Sequence, residues 1–118
     1  MLLRTKRTTT QPTMNIFILF HDRLPSQDLA AFARRSLEFA LDRFSARIGN
    51  VSLRVADENG PRGGVDQTCS LAVKVVGGPE LHFRDTDSSP ERCVHRLARR
   101  AASSLRRAVA RRRERARR

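Results

Sequence analysis

The segment from Ser89 to Ala110, "SPERCVHRLARRAASSLRRAVA", decides the fold because its apolar and basic residues separate onto opposite sides of one helix. Ser89 is a favourable N-cap, and Pro90 suits the first helical position. At 100° per residue, one sector collects the apolar residues Val94, Leu97, Ala98, Ala101, Leu105, Ala108 and Val109. The opposite sector collects Arg92, Arg96, Arg99, Arg100, Arg106 and Arg107. The pattern predicts a helix that docks on a core and carries a basic outer face.

Arginines continue beyond this helix as "RRRERARR", residues 111–118. Arg112 falls where the apolar stripe would continue, so the docked domain is expected to end near Ala110 and residues 111–118 to form an arginine-rich C-terminal tail, projecting or frayed. Residues 92–118 hold twelve of the 24 Lys and Arg residues but one of the twelve acids. A charge distribution this one-sided attracts polyanions, so nucleic acid or an anionic membrane surface is the expected partner class.

Five further patterned segments precede the helix. The short apolar run "MNIFILF" (14–20) favours a buried strand. A helical pattern then runs from Asp28 to Ile48, with Ser26 as N-cap and Gly49-Asn50 as a C-terminal stop. Alternating apolar and polar residues predict three more strands, at 51–55, 69–75 and 81–83.

The resulting order is β-α-β-β-β-α. A strand–helix–strand unit within one sheet is nearly always a right-handed crossover, so the first two strands are expected to be parallel. The last helix buries its stripe most simply beside the first helix. We therefore predict an α+β two-layer sandwich, a four-stranded mixed sheet with both helices on one face. Residues 14–110 form this single domain, and the acid-free residues 1–13 are expected to be a disordered basic extension.

Several functional classes find no support in the sequence. The three histidines and scattered aspartates give no nucleophile, base and orienting group together, so no enzyme and no cofactor are expected. Cys69 and Cys93 lack CxxC or Cys/His ligand spacing, which indicates reduced thiols and no metal site. The longest apolar run, Ile16 to Phe20, is too short to span a membrane. The expectation is a cytoplasmic protein that does not bind membranes.

The arginine face of the last helix is the candidate binding surface. No acid interrupts it between Arg92 and Arg113, so its like charges repel, and a polyanion would relieve that cost. Arg34, Arg35 and Arg43 of the first helix add to the same layer, and Arg62 lies in the loop "DENGPRGG" (57–64), which lacks phosphate-loop spacing. The predicted RNA-binding residues are Arg34, Arg35, Arg62, Arg92, Arg96, Arg99, Arg100, Arg106, Arg107, Arg111 and Arg113.

Three short stretches carry a resemblance to a known family: "LDRFSARIGNVSLRV" (41–55), "ENGPRGG" (58–64) and "SLAVKV" (70–75). With the element order and the arginine-dense last helix, they resemble the ribosome hibernation promoting factor / ribosome-associated inhibitor A family, in its short, single-domain form. The resemblance spans residue 14 to about residue 113. Where family members commonly have Asp-x-Tyr before the last helix, this chain has "DTDSSPERCVH" (85–95), without tyrosine.

The resemblance implies a translation-silencing factor, monomeric when free, that binds the small ribosomal subunit. In that family, basic residues on the two helices grip small-subunit rRNA in the channel that mRNA and tRNA occupy. Two alternatives stay open. A general RNA- or DNA-binding protein would bind naked duplexes equally well. A non-enzymatic interaction module that uses the basic tail would keep most of its affinity in the detached tail peptide.

Overall fold

The computed structural model describes residues 14–57 and 66–117 of the 118-residue chain. Its elements, in chain order, are β1 (Asn15–His21), α1 (Gln27–Leu41), a 3-10 helix (Asp42–Arg47), β2 (Ile48–Asp57), β3 (Gln67–Val75), β4 (Glu80–Asp87) and α2 (Pro90–Ala116). The predicted α+β sandwich is confirmed. The extension 1–13 and Arg62 lie outside the described residues.

The four strands form one mixed sheet in the order β1-β2-β3-β4. β1 and β2 are parallel, as the crossover rule predicts, and the other two pairs are antiparallel. The register aligns Ile18, Leu53, Leu71 and Phe83 in one row across the sheet. Because side chains alternate between the faces of a strand, this register places one apolar face under the helices.

The core lies between that sheet face and the two helices. The alternating residues of β2 and β3 are buried, and α1 contributes Leu37 and Leu41, which are fully buried. From α2, Val94, Leu97 and Leu105 are also inaccessible to solvent. Each such side chain stabilises the fold by roughly 1.5–3 kcal/mol relative to leaving it exposed. The core therefore fixes the position of both helices against the sheet.

The C-terminal end of the first helix differs from the sequence-based expectation. The α-helix ends at Leu41, the 3-10 helix Asp42–Arg47 follows, and Ile48 opens β2. Ile48 is fully buried and pairs with Val75 of β3. The apolar spacing continues to Ile48 because the 3-10 helix keeps Phe44 on the core side as well. Gly49-Asn50 consequently lie within a strand and do not stop a helix.

Helix α2 begins where the sequence predicts and continues beyond Ala110. The Ser89 hydroxyl accepts a hydrogen bond from the Arg92 backbone N–H at 3.2 Å. The last fully buried side chain is Leu105, yet the helix runs to Ala116. Arg112 Nη2 donates to the Gly77 carbonyl oxygen at 3.3 Å, in the turn between β3 and β4. Residues 111–116 are thus helical, and the domain boundary near Ala110 stays a prediction.

Gly77 suits this turn for a conformational reason. Its φ of 70° lies in the left-handed region, which glycine adopts without the steric strain that a Cβ causes. The turn joins β3 to β4 and places the carbonyl that Arg112 reaches. In the part of the chain that the structure describes, no helix has the length and apolar character needed to cross a membrane.

Candidate nucleic-acid interface

Helices α1 and α2 lie side by side, and their solvent-facing surfaces enclose an open groove of about 990 Å³. We call it the interhelical groove. Arg35 and Arg43 line it from α1 and the following 3-10 helix, and Arg99 and Arg106 line it from α2. None of the described residues that line it is acidic. The two helices together create a concave surface of one charge sign, which concentrates the electrostatic field for anions.

Helical spacing explains why these four arginines face one another. Arg35 and Arg43 are eight residues apart, and Arg99 and Arg106 are seven apart, so each pair is separated by about two helical turns. Within residues 14–57 and 66–117, no carboxylate forms an ion pair with any of the four. Arg106 Nη2 donates to the Ser103 hydroxyl at 3.3 Å, a neutral partner that leaves the charge uncompensated.

A second, shallower surface lies on the other side of α2, where the helix passes β4. We call it the outer face, lined by Phe83, Arg96, Arg99, Arg100, Ser103, Ser104 and Arg107. The Arg100 guanidinium lies over the Phe83 ring at 5.8 Å and donates to the Arg84 carbonyl oxygen at 3.1 Å. Arg107 Nη2 donates to the Ser104 hydroxyl at 3.4 Å. Arg99 lines both surfaces, so the groove and the outer face are continuous across α2.

Two of the predicted binding arginines form an ion-pair cluster with β4. Arg96 contacts Asp85 through Nε at 2.6 Å and Asp87 through Nη1 at 2.7 Å. Arg92 Nη2 lies 2.9 Å from the other oxygen of Asp87. The helix sequence contains no acid between Arg92 and Arg113, but the neighbouring strand supplies two. Much of the charge of Arg92 and Arg96 is therefore compensated within the protein, and these residues fasten the start of α2 to the sheet.

The cluster is stabilised in its ionised form. The backbone N–H of Ser89, then the guanidinium groups of Arg92 and Arg96, hold the pKa of Asp87 well below its usual range. A hydrogen bond from Arg96 lowers the pKa of Asp85, and the same contacts raise the pKa of Arg96. Both carboxylates are charged at neutral pH, so the compensation persists under physiological conditions.

The remaining predicted residues lie apart from the groove or outside the described residues. Arg34 points toward the sheet edge, where Nη1 donates to the Ile16 carbonyl oxygen of β1 at 3.2 Å. Arg111 and Arg113 are exposed on the last turns of α2. Arg62 falls in the part of the chain that the structure does not describe. The assignment of all these residues to RNA binding stays a prediction.

Arg43, Phe39 and His95 line the groove but are not among the predicted RNA-binding residues, although the sequence places Arg43 in the same helical layer. The sequence indicates that Arg43 and Phe39 share a surface with Arg35, because the three residues follow one another at intervals of four, off the apolar stripe. The signal for His95 was weaker, since its position is defined only once α2 is seen beside α1.

The two cysteines belong to the core. Cys69 of β3 and Cys93 of α2 are free thiols, fully buried, and hydrogen-bonded to each other. Burial raises the pKa of both thiols. Within the described residues, no group of histidine, cysteine and acidic side chains could hold a metal ion.

No family model matches this chain, and no curated protein matches it. Among solved structures, a ribosomal subunit interface protein from Coxiella burnetii is similar with a TM-score of 0.66 and 14% identity, over 80% of this chain and 97% of that one. The Protein Y N-terminal domain of Thermus thermophilus is similar with a TM-score of 0.65 and 14% identity, over 80% and 98% of the two chains. The resemblance found in the sequence is thereby confirmed at the level of the fold, which this chain shares with a ribosomal subunit interface protein and with Protein Y.

Proposed function

We propose that this protein is a ribosome-binding factor that silences translation by contacting small-subunit rRNA phosphates through the interhelical groove and the outer face of α2. One observation carries the proposal: four arginines from α1, the following 3-10 helix and α2 converge on an acid-free groove. The fold supports the ribosome as partner, because a ribosomal subunit interface protein has the same fold.

Arginine suits this task because its planar guanidinium can donate two parallel hydrogen bonds to a phosphate. Structured RNA hides its base edges in a deep, narrow major groove, so a protein with a wide basic surface reads its backbone and shape. A domain seated in the channel for mRNA and tRNA excludes both ligands by occupying their space. The activity so proposed is binding without catalysis, by a cytoplasmic monomer that needs neither cofactor nor membrane.

The ion pairs of α2 divide the proposed binding residues into two groups. Arg35, Arg43, Arg99 and Arg106 would contact phosphates in the groove, with Arg100 and Arg107 on the outer face. Arg92 and Arg96 are held by Asp85 and Asp87, so we assign them a positioning role. Their contribution is to hold α2 at a fixed angle on the sheet, and hence to keep the groove open.

A general nucleic-acid-binding function is the second candidate. It is favoured by the exposed arginines at the end of α2, because Arg111, Arg113 and Arg115 are exposed on the last turns of the helix, where any polyanion can reach them. Binding of that kind depends on charge density and carries no preference for one RNA shape.

The test compares two variants that each lose three positive charges. The groove variant is Arg35→Gln/Arg99→Gln/Arg106→Gln. The charge-matched control is Arg47→Gln/Arg54→Gln/Lys74→Gln, three exposed residues that do not line the groove or the outer face. Each protein is sedimented with ribosomes at physiological salt, with and without competing mRNA and tRNA, and separately titrated with an RNA duplex of equal charge.

Ribosome silencing would be supported if wild type and control sediment stoichiometrically with ribosomes, if the groove variant does not, and if mRNA or tRNA displaces the bound protein. Equal affinity for the naked duplex, or equal losses in both variants, would contradict it in favour of general binding. Truncation after Ala110 is the third comparison, because loss of all binding on removal of residues 111–118 would place the function in the tail.

A further inference from the structure

Phe39 is the most exposed large apolar side chain among those the structure describes, with 91% of its surface accessible. It lies on α1 at the rim of the interhelical groove, four residues after Arg35 and four before Arg43. The opposite face of the same helix already supplies the core with Leu37 and Leu41. Phe39 therefore plays no part in packing this domain, and its exposure costs solvation free energy.

The surroundings of Phe39 indicate which ligand would cover it. An apolar protein partner needs a contiguous apolar patch, but Phe39 is surrounded by charged side chains. Arg35 and Arg43 line the groove with it, Glu38 and Asp42 join them in a neighbouring cavity, and Phe32 in the groove is partly buried. The other exposed large apolar residues lie away from the groove lining: Phe17, Leu19, Leu24 and Val76. Within the groove lining, which is acid-free, an exposed aromatic ring beside arginines suits a ligand that has both a flat π-face and negative charge.

An unpaired nucleotide has both features. Its base can stack on an aromatic ring, and its flanking phosphates can reach guanidinium groups on either side. In a continuous duplex each base face is covered by the neighbouring base pairs, so a duplex offers only its phosphates. The alternation of Arg35, Phe39 and Arg43 along α1 and the following 3-10 helix matches the alternation of phosphate and base along a single strand.

We propose that the interhelical groove binds an unpaired RNA segment, with one base stacked on Phe39 and the flanking phosphates held by Arg35 and Arg43. Arg99 and Arg106 close the opposite wall of the groove. This inference rests on the proposed function and makes it more specific, because within the ribosome it directs the groove to a single-stranded element of rRNA.

The chain contains no tryptophan and no tyrosine, so Phe39→Trp introduces a unique fluorophore at the proposed stacking position. The probes are a short oligoadenylate and an RNA duplex of the same length, both at low salt, with binding followed independently by anisotropy of labelled RNA. Stacking predicts strong quenching of the tryptophan emission by the single strand and little quenching by the bound duplex.

The second arm measures ribosome affinity for Phe39→Ala, Phe39→Trp and the matched control Leu24→Ala, which removes another exposed apolar side chain, 85% accessible. Loss of one stacked base predicts roughly 5- to 150-fold weaker binding for Phe39→Ala, wild-type affinity for the other two variants, and an unchanged salt slope. Phe39 is exposed, so none of these substitutions removes a core contact.

The outcomes separate the stacking of a base on Phe39 from the proposed binding of the ribosome. The inference is supported if only the single strand quenches the tryptophan emission and if Phe39→Ala binds that single strand more weakly than wild type does. This support stands even if the protein does not bind ribosomes. The inference is overturned if both probes quench the emission equally, if the single strand binds without quenching it, or if the single strand does not bind at all. If ribosomes still bind wild type and Phe39→Ala equally, the proposed function survives, and Phe39 faces a protein partner or solvent.

Discussion

The salt dependence of ribosome binding provides the most stringent test of the groove. Six arginines of the groove and outer face form no ion pair with a carboxylate of the described chain: Arg35, Arg43, Arg99, Arg100, Arg106 and Arg107. If each neutralises one phosphate, counterion release predicts that log affinity falls with log salt at a slope of about −0.7 to −0.9 per contact. The wild-type slope is then roughly −4 to −5.5, and the groove variant, with three contacts removed, has a slope of roughly −2 to −3.

These slopes translate into a large measurable difference. A threefold rise in salt would weaken wild-type binding roughly 100- to 400-fold and the groove variant only about 10- to 20-fold. The assay is fluorescence anisotropy of labelled protein titrated with ribosomes over a salt series at constant magnesium. The charge-matched control should keep the wild-type slope. Parallel slopes for groove variant and wild type, or an equal reduction in the control, would refute a groove-centred phosphate interface.

Three further predictions concern the folded domain. The pKa of Asp87 is depressed on folding, so its contribution to stability is present above the unfolded pKa and is lost as pH falls below about 4; Asp87→Asn should melt at lower temperature at pH 7 and show a flatter acid dependence, and parallel melting curves would contradict this. Leu97→Ala, in the fully buried part of α2, should lower the free energy of unfolding in urea by about 2–5 kcal/mol, and a change below about 1 kcal/mol would mean that the site collapses around the cavity. Cys69 and Cys93 should resist alkylation in the native protein and react quickly in denaturant, as followed by mass spectrometry; rapid native labelling would place the thiols at the surface.

Much of the architecture followed from local pattern. The strand–helix–strand unit has the expected parallel pairing, and the Ser89 cap and the apolar stripe of α2 lie where the periodicity places them. The end of α1 could not be read in this way. A 3-10 turn and a strand both place an apolar residue inward, so the spacing of Phe44 and Ile48 alone does not distinguish them from a longer helix.

The site was harder to predict than the fold, because its charges are balanced across elements that are distant in sequence. The sequence around Arg96 does not indicate that Asp85 and Asp87 compensate its charge, because that contact depends on how α2 crosses β4. The groove has the same origin: Arg43 and Arg99 become neighbours of one cavity only after both helices have docked. Helical periodicity identifies a basic face, and tertiary packing decides which of its arginines keep an uncompensated charge.

The helical state of the C-terminal arginines changes the thermodynamics of their binding. The segment from Arg106 to Ala116 continues α2 for about 16 Å beyond the last fully buried residue. A disordered tail of the same composition would lose roughly 1–2 kcal/mol of backbone conformational entropy per residue on becoming ordered against RNA. Here the backbone is already ordered before any ligand arrives, so only side-chain rotamers remain to be fixed. The arginines of this segment are thereby preorganised, and their contribution to affinity depends on the integrity of the helix as well as on their number.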